Sequence, residues 1–194
     1  MPRKPRSDPM RGYVDLLRHG AVVACPTETQ MGLLADALDA RAVARVSELK
    51  RRPPSEPIGV LVPSLEGAFR IVRDVPAEAI TLAERHWPGP LTLVLWAAPG
   101  LPDAIVKDRR VALRVPGASP ALDLVRAFAG PLTATSANRS GEPPCASADE
   151  ARAVFGDTLG AIVPGAASGL ASTIVDLTGD APRILRQGAI VLDV

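Results

Sequence analysis

The residues of this sequence best suited to chemistry stand in polar loops that follow apolar or helical runs. Pro26-Thr27-Glu28-Thr29-Gln30 follows Ala21–Cys25, and Lys50-Arg51-Arg52-Pro53-Pro54 closes a helical pattern. Thr135-Ser136-Ala137-Asn138-Arg139-Ser140-Gly141 follows Leu132-Thr133-Ala134. Thr27, Thr29, Ser136 and Asn138 offer hydroxyl and amide groups, while Lys50 and Arg52 offer charge. These are binding groups for anions rather than proton-transfer groups, so they suit positioning and charge stabilisation. A plainer reading stays open for each. A basic cluster at a helix C-terminus complements the macrodipole, and Thr, Ser and Asn close turns with their side chains.

Other chemistries are poorly served. The two histidines, His19 beside Gly20 and His86 before Trp87, read as surface or packing residues. The absence of His-Glu-x-x-His, of a Cys/His cluster and of Gly-x-Ser-x-Gly argues against a zinc site or a serine hydrolase. Cys25 ends an apolar run and reads as an inert buried thiol. Neither a P-loop nor Gly-x-Gly-x-x-Gly is present, so any nucleotide must be held by other loops.

The elements that must position these loops alternate along the chain. Asp8 and Pro9 open a helix that Gly20 stops, and a strand covers 21–25. A loop is expected over Thr27–Leu33, then a helix capped by Asp39 and ending at Lys50. Strands are expected at 58–62, 91–96 and 111–115, with helices at 64–72 and 77–87 between them and another at 119–129 after them. Ser147-x-x-Glu150 is a capping box for a helix to about Phe155. The tail holds short strand patterns at 161–163, 173–177 and 183–185, with a further one at 190–192. Helices between early strands and turns between late ones predict an α/β fold, a twisted mixed parallel and antiparallel sheet with packed helices. Residues 1–7 read as a disordered leader and 8–194 as a single domain.

Composition narrows the function classes. A net charge of +1 and 3% aromatic residues argue against a nucleic-acid platform spread over the whole chain. Two distant cysteines, Cys25 and Cys145, suit a reducing compartment. No apolar run approaches the ~20 residues of a spanning helix, and no secretory signal follows the basic N-terminus, so a cytoplasmic protein without a membrane partner is expected.

Seven motifs in order extend this reading. They are Pro26–Leu33, Lys50–Pro53, Trp87–Thr92, Arg114–Pro116, Ser136–Gly141, Ser172–Asp176 and Leu185–Ala189. In this order and spacing the sequence resembles the YrdC-type threonylcarbamoyl-AMP synthase family, in its short, single-domain form. The resemblance implies a concave basic cavity and an enzyme, a nucleotidyltransferase. Such an enzyme makes L-threonylcarbamoyladenylate and pyrophosphate from L-threonine, bicarbonate or CO2, and ATP, for the modification of tRNA position 37. It further implies Lys50 and Arg52 as catalytic and ATP-binding residues, with Ser136, Asn138 and Arg186 also on ATP. Thr27, Arg114 and Ser172 are then implied for the threonine and acyl part. Mg²⁺ would arrive bound to ATP, with no metal site of protein ligands. The expected partners are ATP, threonine, bicarbonate and a downstream tRNA threonylcarbamoyltransferase complex, with tRNA contact as a further option. Gln30-Met31 departs from the Val-Tyr usual there, replacing a phenol with a flexible apolar wall. Two other readings remain: a non-catalytic RNA- or ribosome-binding protein of the same fold, and a carbamoyl-transferring relative.

Overall fold

The computed structural model describes residues 9–53, 55–167 and 169–192. The expected leader at 1–7 and the Asp8 cap lie outside the described residues. The elements run α1 (Pro9–Arg18), β1 (Val23–Pro26), β2 (Met31–Leu34), α2 (Ala40–Lys50), β3 (Gly59–Leu61), α3 (Leu65–Ala68), α4 (Ala77–His86) and β4 (Leu91–Trp96). They continue with β5 (Arg110–Arg114), α5 (Pro120–Phe128), β6 (Leu132–Ser136), α6 (Ala148–Phe155), β7 (Ala161–Ile162), β8 (Thr173–Asp176) and β9 (Arg183–Arg186). All strands join one mixed sheet in the order β7-β1-β2-β6-β3-β5-β4-β8-β9. The parallel pairs are β1–β7, β3–β5 and β4–β8, and the remaining neighbours are antiparallel.

The caps follow from local chemistry. Asp39 accepts from the Arg41 amide at the start of α2, Ser119 accepts from Leu122 at α5, and Ser147 accepts from Glu150 at α6. The return bond of the expected capping box goes one residue further back, from the Ala146 amide to Glu150 Oε2 at 2.9 Å.

Three sequence expectations need correction. Met31–Leu34 is a strand rather than part of a loop. The Thr27 hydroxyl closes a tight turn in four residues, leaving the apolar Met31, Leu33 and Leu34 to pair with β1. Thr135 and Ser136 belong to β6 because Gly32 and Leu33 supply their partners on β2. Residues 190–192 form no strand and are held by a side chain instead. Thr173 Oγ1, on β8, accepts from the amides of Gly188 (3.0 Å) and Ile190 (3.1 Å) and donates to the Ile190 carbonyl.

The two faces of the sheet differ in what they carry. On one, Val60, Leu91, Leu93, Leu95, Val111, Leu113 and Val175 are at most 2% exposed and form the core, with α4 packed on β4. On the other, small side chains lie in a row across adjacent strands: Ala134 pairs with Gly59, and Ala112 pairs with Val94. A Cβ on Gly59 would come within 3.2 Å of the Ala134 carbonyl and 3.6 Å of that of Ala112. This face is therefore hollow where a core sheet would be filled. Val94 continues the row to Asp176, and Asp176 to Arg183, so it ends in charge.

The Thr173 hub gives a stability prediction. Thr173→Val keeps the shape of this fully buried residue but leaves the Gly188 and Ile190 amides without their acceptor. Urea denaturation should register a loss of about 2–3 kcal/mol, and Thr173→Ser should recover most of it.

Candidate functional site

The hollow face bounds a cavity of about 610 Å³. Of the residues expected from the sequence, Thr27, Arg52, Arg114, Ser136, Ser172 and Arg186 line it. Lys50 and Asn138 do not. They sit directly behind Ser136, with Lys50 1% exposed.

Lys50 is the last residue of α2, so its side chain follows the buried stripe of Ala42, Val43 and Val46 inward. Its ammonium donates to the Ser136 carbonyl (2.5 Å), the Asn138 carbonyl (3.0 Å) and Asn138 Oδ1 (2.9 Å). Three donors meet three acceptors. Asn138 Oδ1 also accepts from Ser136 Oγ at 2.6 Å, and Asn138 Nδ2 donates to the carbonyls of Arg139 and Glu142. The Ser140 amide returns to the Lys50 carbonyl at 2.7 Å. The polar loop after β6 is thus folded around one buried cation. Burial, and then the nearby Arg52 charge, push the Lys50 ammonium down to about 8.

Arg51 follows in the left-handed region at φ 51° and turns the chain sharply. Arg52 therefore leaves toward the cavity, where its guanidinium donates to the Glu56 carbonyl from Nε and the Pro57 carbonyl from Nη2, both at 3.0 Å. Glu56 adds an ion pair at 3.5 Å. The basic loop is tied to its own 56–57 segment, and that segment also lines the cavity.

The Thr27 hydroxyl is consumed by its turn. It accepts from the amides of Thr29 (3.1 Å) and Gln30 (3.0 Å) and reaches the Gln30 carbonyl at 2.8 Å. Thr29 Oγ1 faces Arg114, whose Nη1 donates to it at 3.2 Å. Glu28 Oε1 lies 3.4 Å from the same Nη1. Burial holds Arg114 below the ordinary arginine value, with Glu28 opposing and Arg186 reinforcing that shift. Arg186 donates twice to the Ser172 carbonyl (3.0 and 2.9 Å) and once to Ser172 Oγ (3.1 Å), and Ser172 Oγ meets Thr92 Oγ1 at 2.8 Å. Burial lowers Arg186 too.

Several lining residues were not singled out in the sequence. Thr92 lies inside a motif already named, and Arg110, Asp176 and Arg183 form the charged end of the row. Asp176 accepts from Arg110 (3.0 Å), Arg183 (3.4 Å) and the Thr178 amide and hydroxyl. Burial works to raise this carboxyl, yet the Thr178 bonds and the two arginines hold it below its usual value. The alternation of Thr92, Val94 and of Arg110, Ala112, Arg114 was the signal available, but only the strand pairing shows that both sets share a face.

Neither histidine lines the cavity. Cys25 is fully buried, with its thiol pushed up to about 12 by burial and by Asp123, which fits an inert group. Among the described residues no cluster of His, Cys, Asp and Glu has the arrangement of a metal site, and no helix is long and apolar enough to cross a membrane.

The lowered Lys50 value fixes the sign of a pH effect. Between pH of about 8 and the ordinary 10.5, the unfolded chain carries a proton on Lys50 that the folded chain does not. Stability from this residue therefore rises with pH across that window, by about 1–3 kcal/mol in all. Below about 8 both states are protonated and the slope vanishes. Urea titrations of the wild type and Lys50→Met should diverge between pH 8 and 10 with this sign.

Comparison with known proteins agrees with the geometry. The Sua5/YciO/YrdC family model, described as telomere recombination, matches residues 15–188. A Pyrococcus abyssi protein named threonylcarbamoyl-AMP synthase is 40% identical over 180 residues, covering 91% of this chain and 53% of that relative. A Chromobacterium violaceum protein of the same name is 34% identical over 189 residues, covering 96% of both. The crystal structure of P. abyssi Sua5 complexed with L-threonine superposes with a TM-score of 0.88 at 39% identity, over 92% of this chain and 54% of that one. The chain thus spans about half the length of the P. abyssi protein and nearly all of the C. violaceum one. With the family model matched over most of its length and a mixed sheet of the same fold, this chain belongs to the Sua5/YciO/YrdC family.

Proposed function

We propose that this chain is a threonylcarbamoyl-AMP synthase, a nucleotidyltransferase that joins L-threonine, bicarbonate or CO2, and ATP into threonylcarbamoyladenylate with release of pyrophosphate. The observation that carries the reading is the cavity over the small-residue face. Arg52, Ser136, Thr29, Arg114, Ser172 and Arg186 all line it, together with the small residues Gly59, Ala112 and Ala134. The relatives' shared name and the threonine-bound neighbour support it.

The reaction asks little acid–base chemistry of the protein. The threonine amine adds to CO2 and loses a proton, giving a carbamate. A carbamate oxygen then attacks the α-phosphorus while the bond to pyrophosphate breaks. No side-chain nucleophile is needed, so orientation and cations at the developing charge carry the rate. Arg114, with Ser172 and Arg186 beside it, receives the amino acid's carboxylate. Arg52 meets the phosphates. Lys50 acts from behind, holding Ser136 and Asn138 in the conformation that presents them.

The carboxylates lining the cavity are already engaged, Asp176 by Arg110 and Arg183, Asp108 by Arg110, and Glu56 by Arg52. That fits magnesium carried on nucleotide oxygens and water, where it neutralises phosphate charge. A cytoplasmic site of action and delivery of the adenylate to a tRNA-modifying threonylcarbamoyltransferase complete the reading.

The test is pyrophosphate release from ATP, Mg²⁺ and bicarbonate with each amino acid in turn. Threonine should support turnover. No release with threonine, serine or any other amino acid would leave the non-catalytic binding protein or the carbamoyl-transferring relative. Arg52→Ala should lower kcat/KM by about 100-fold at unchanged Tm. Ala112→Leu, which fills the floor without touching a polar group, should remove activity and leave the fold intact.

A further inference from the structure

One buried charged group beside the cavity-lining Arg114 has no role so far. Glu28 sits at the tip of the Thr27–Gln30 turn, with its side chain 17% exposed and both carboxylate oxygens shielded from solvent. Among the described residues neither oxygen has a hydrogen-bond donor. Its close charged neighbour is Arg114 Nη1 at 3.4 Å.

A buried carboxylate without donors is a poor packing residue, since a neutral side chain would fill the space without losing hydration. Yet the surroundings are shaped to admit it. A Cβ at Gly117 would stand 2.9 Å from Glu28 Cγ and 3.2 Å from Cδ, so glycine there leaves the carboxylate its room. On the backbone side Gly169 packs so closely that a Cβ would reach 2.6 Å from the Glu28 carbonyl. The turn holding Glu28 is closed by Thr27, and Arg114 is anchored on β5. Both partners are therefore fixed by backbone, and the pair is not screened.

We infer that Glu28 is a positioning residue for Arg114: its charge pins Nη1 against the Thr29 hydroxyl, so that the rest of the guanidinium is presented to a ligand carboxylate. The inference rests on the reading above, in which that carboxylate belongs to the amino-acid substrate. The arrangement also offsets one of two neighbouring arginines, Arg114 and Arg186, whose mutual repulsion would otherwise press on the site.

The experiment uses Glu28→Gln, which keeps shape and removes charge, with threonine and threonine amide as paired substrates. The KM for threonine should rise about tenfold or more, while the KM for ATP, the Tm and the KM for threonine amide stay near wild type. Independently of substrate, NMR of arginine-labelled protein should show restricted rotation of the Arg114 guanidinium in the wild type and freer rotation in the variant. An unchanged threonine KM, an equal loss for both substrates, or unchanged Arg114 rotation overturns the assignment. Wild-type protein that turns over no amino acid overturns the parent reading instead, and the NMR result alone then decides Glu28. Should the Gln variant not fold, Glu28→Asp replaces it, with a smaller threonine-specific loss expected and equal losses on both substrates overturning the proposal.

Discussion

The Lys50 ammonium is the contact around which the site is assembled. Taking a lysine out of water is costly, and a leucine at the end of the α2 stripe would avoid that cost. What a leucine cannot do is bring three acceptors from one loop, the Ser136 and Asn138 carbonyls and Asn138 Oδ1, to a single point. Two of these are backbone atoms, so the cation dictates main-chain conformation and not only side-chain placement. Ser136 Oγ then bonds the same Asn138 oxygen, which orients its hydroxyl as well. Because the Ser140 amide returns to the Lys50 carbonyl, helix end and loop hold each other from both sides.

A second constraint makes the cavity possible at all. A sheet face normally carries one side chain on every second residue, and such a face is either packed or solvated. Here Gly59, Ala112 and Ala134 remove that layer across three neighbouring strands, while polar residues remain around the edge. The opposite face bears the apolar load, with branched residues at most 2% exposed. Core packing and the cavity are thereby assigned to separate faces of the same strands. Several of the site's cations are tied to carboxylates, Arg52 to Glu56, Arg110 to Asp176 and Arg114 to Glu28, which offsets part of the repulsion among them.

Much of this was legible in residues whose pattern is local. Leu91–Trp96 alternates cleanly and is a strand at those bounds, and Asp39 caps α2 as its type and place predict. The site was legible as a set of loops but not as an arrangement. Lys50 and Arg52 look equivalent in the chain, two residues apart, yet the left-handed turn at Arg51 sends one into the interior and the other to the cavity. Thr27 and Thr29 look equivalent too, but turn closure engages the first hydroxyl with two backbone amides, while the second meets both Thr27 Oγ1 and Arg114. Met31–Leu34 was hidden because a four-residue apolar run has no periodicity to reveal it, and its pairing with β1 depends on the preceding turn. Thr92, Arg110 and Asp176 lie on three strands, and their common face follows from the β4–β5 and β4–β8 registers, which no local pattern specifies.

The distribution of arginines and lysine argues for a division of labour that residue type alone does not reveal. A lysine can satisfy three scattered acceptors because its donors radiate from one atom, whereas a guanidinium presents a planar fork. The point charge is accordingly the one buried in a backbone cage. The forks at Arg52, Arg114 and Arg186 line the cavity, each with some of its donors committed to the protein. Partial commitment is what fixes a fork's plane: Arg186 is held edge-on to the Ser172 carbonyl by Nε and Nη2, and Arg52 by Nε and Nη2 to the 56–57 segment. Carboxylates and phosphates are recognised by such pre-set planes with less ordering cost at binding. The site thus places its point charge among irregularly placed acceptors and its planar cations along the cavity.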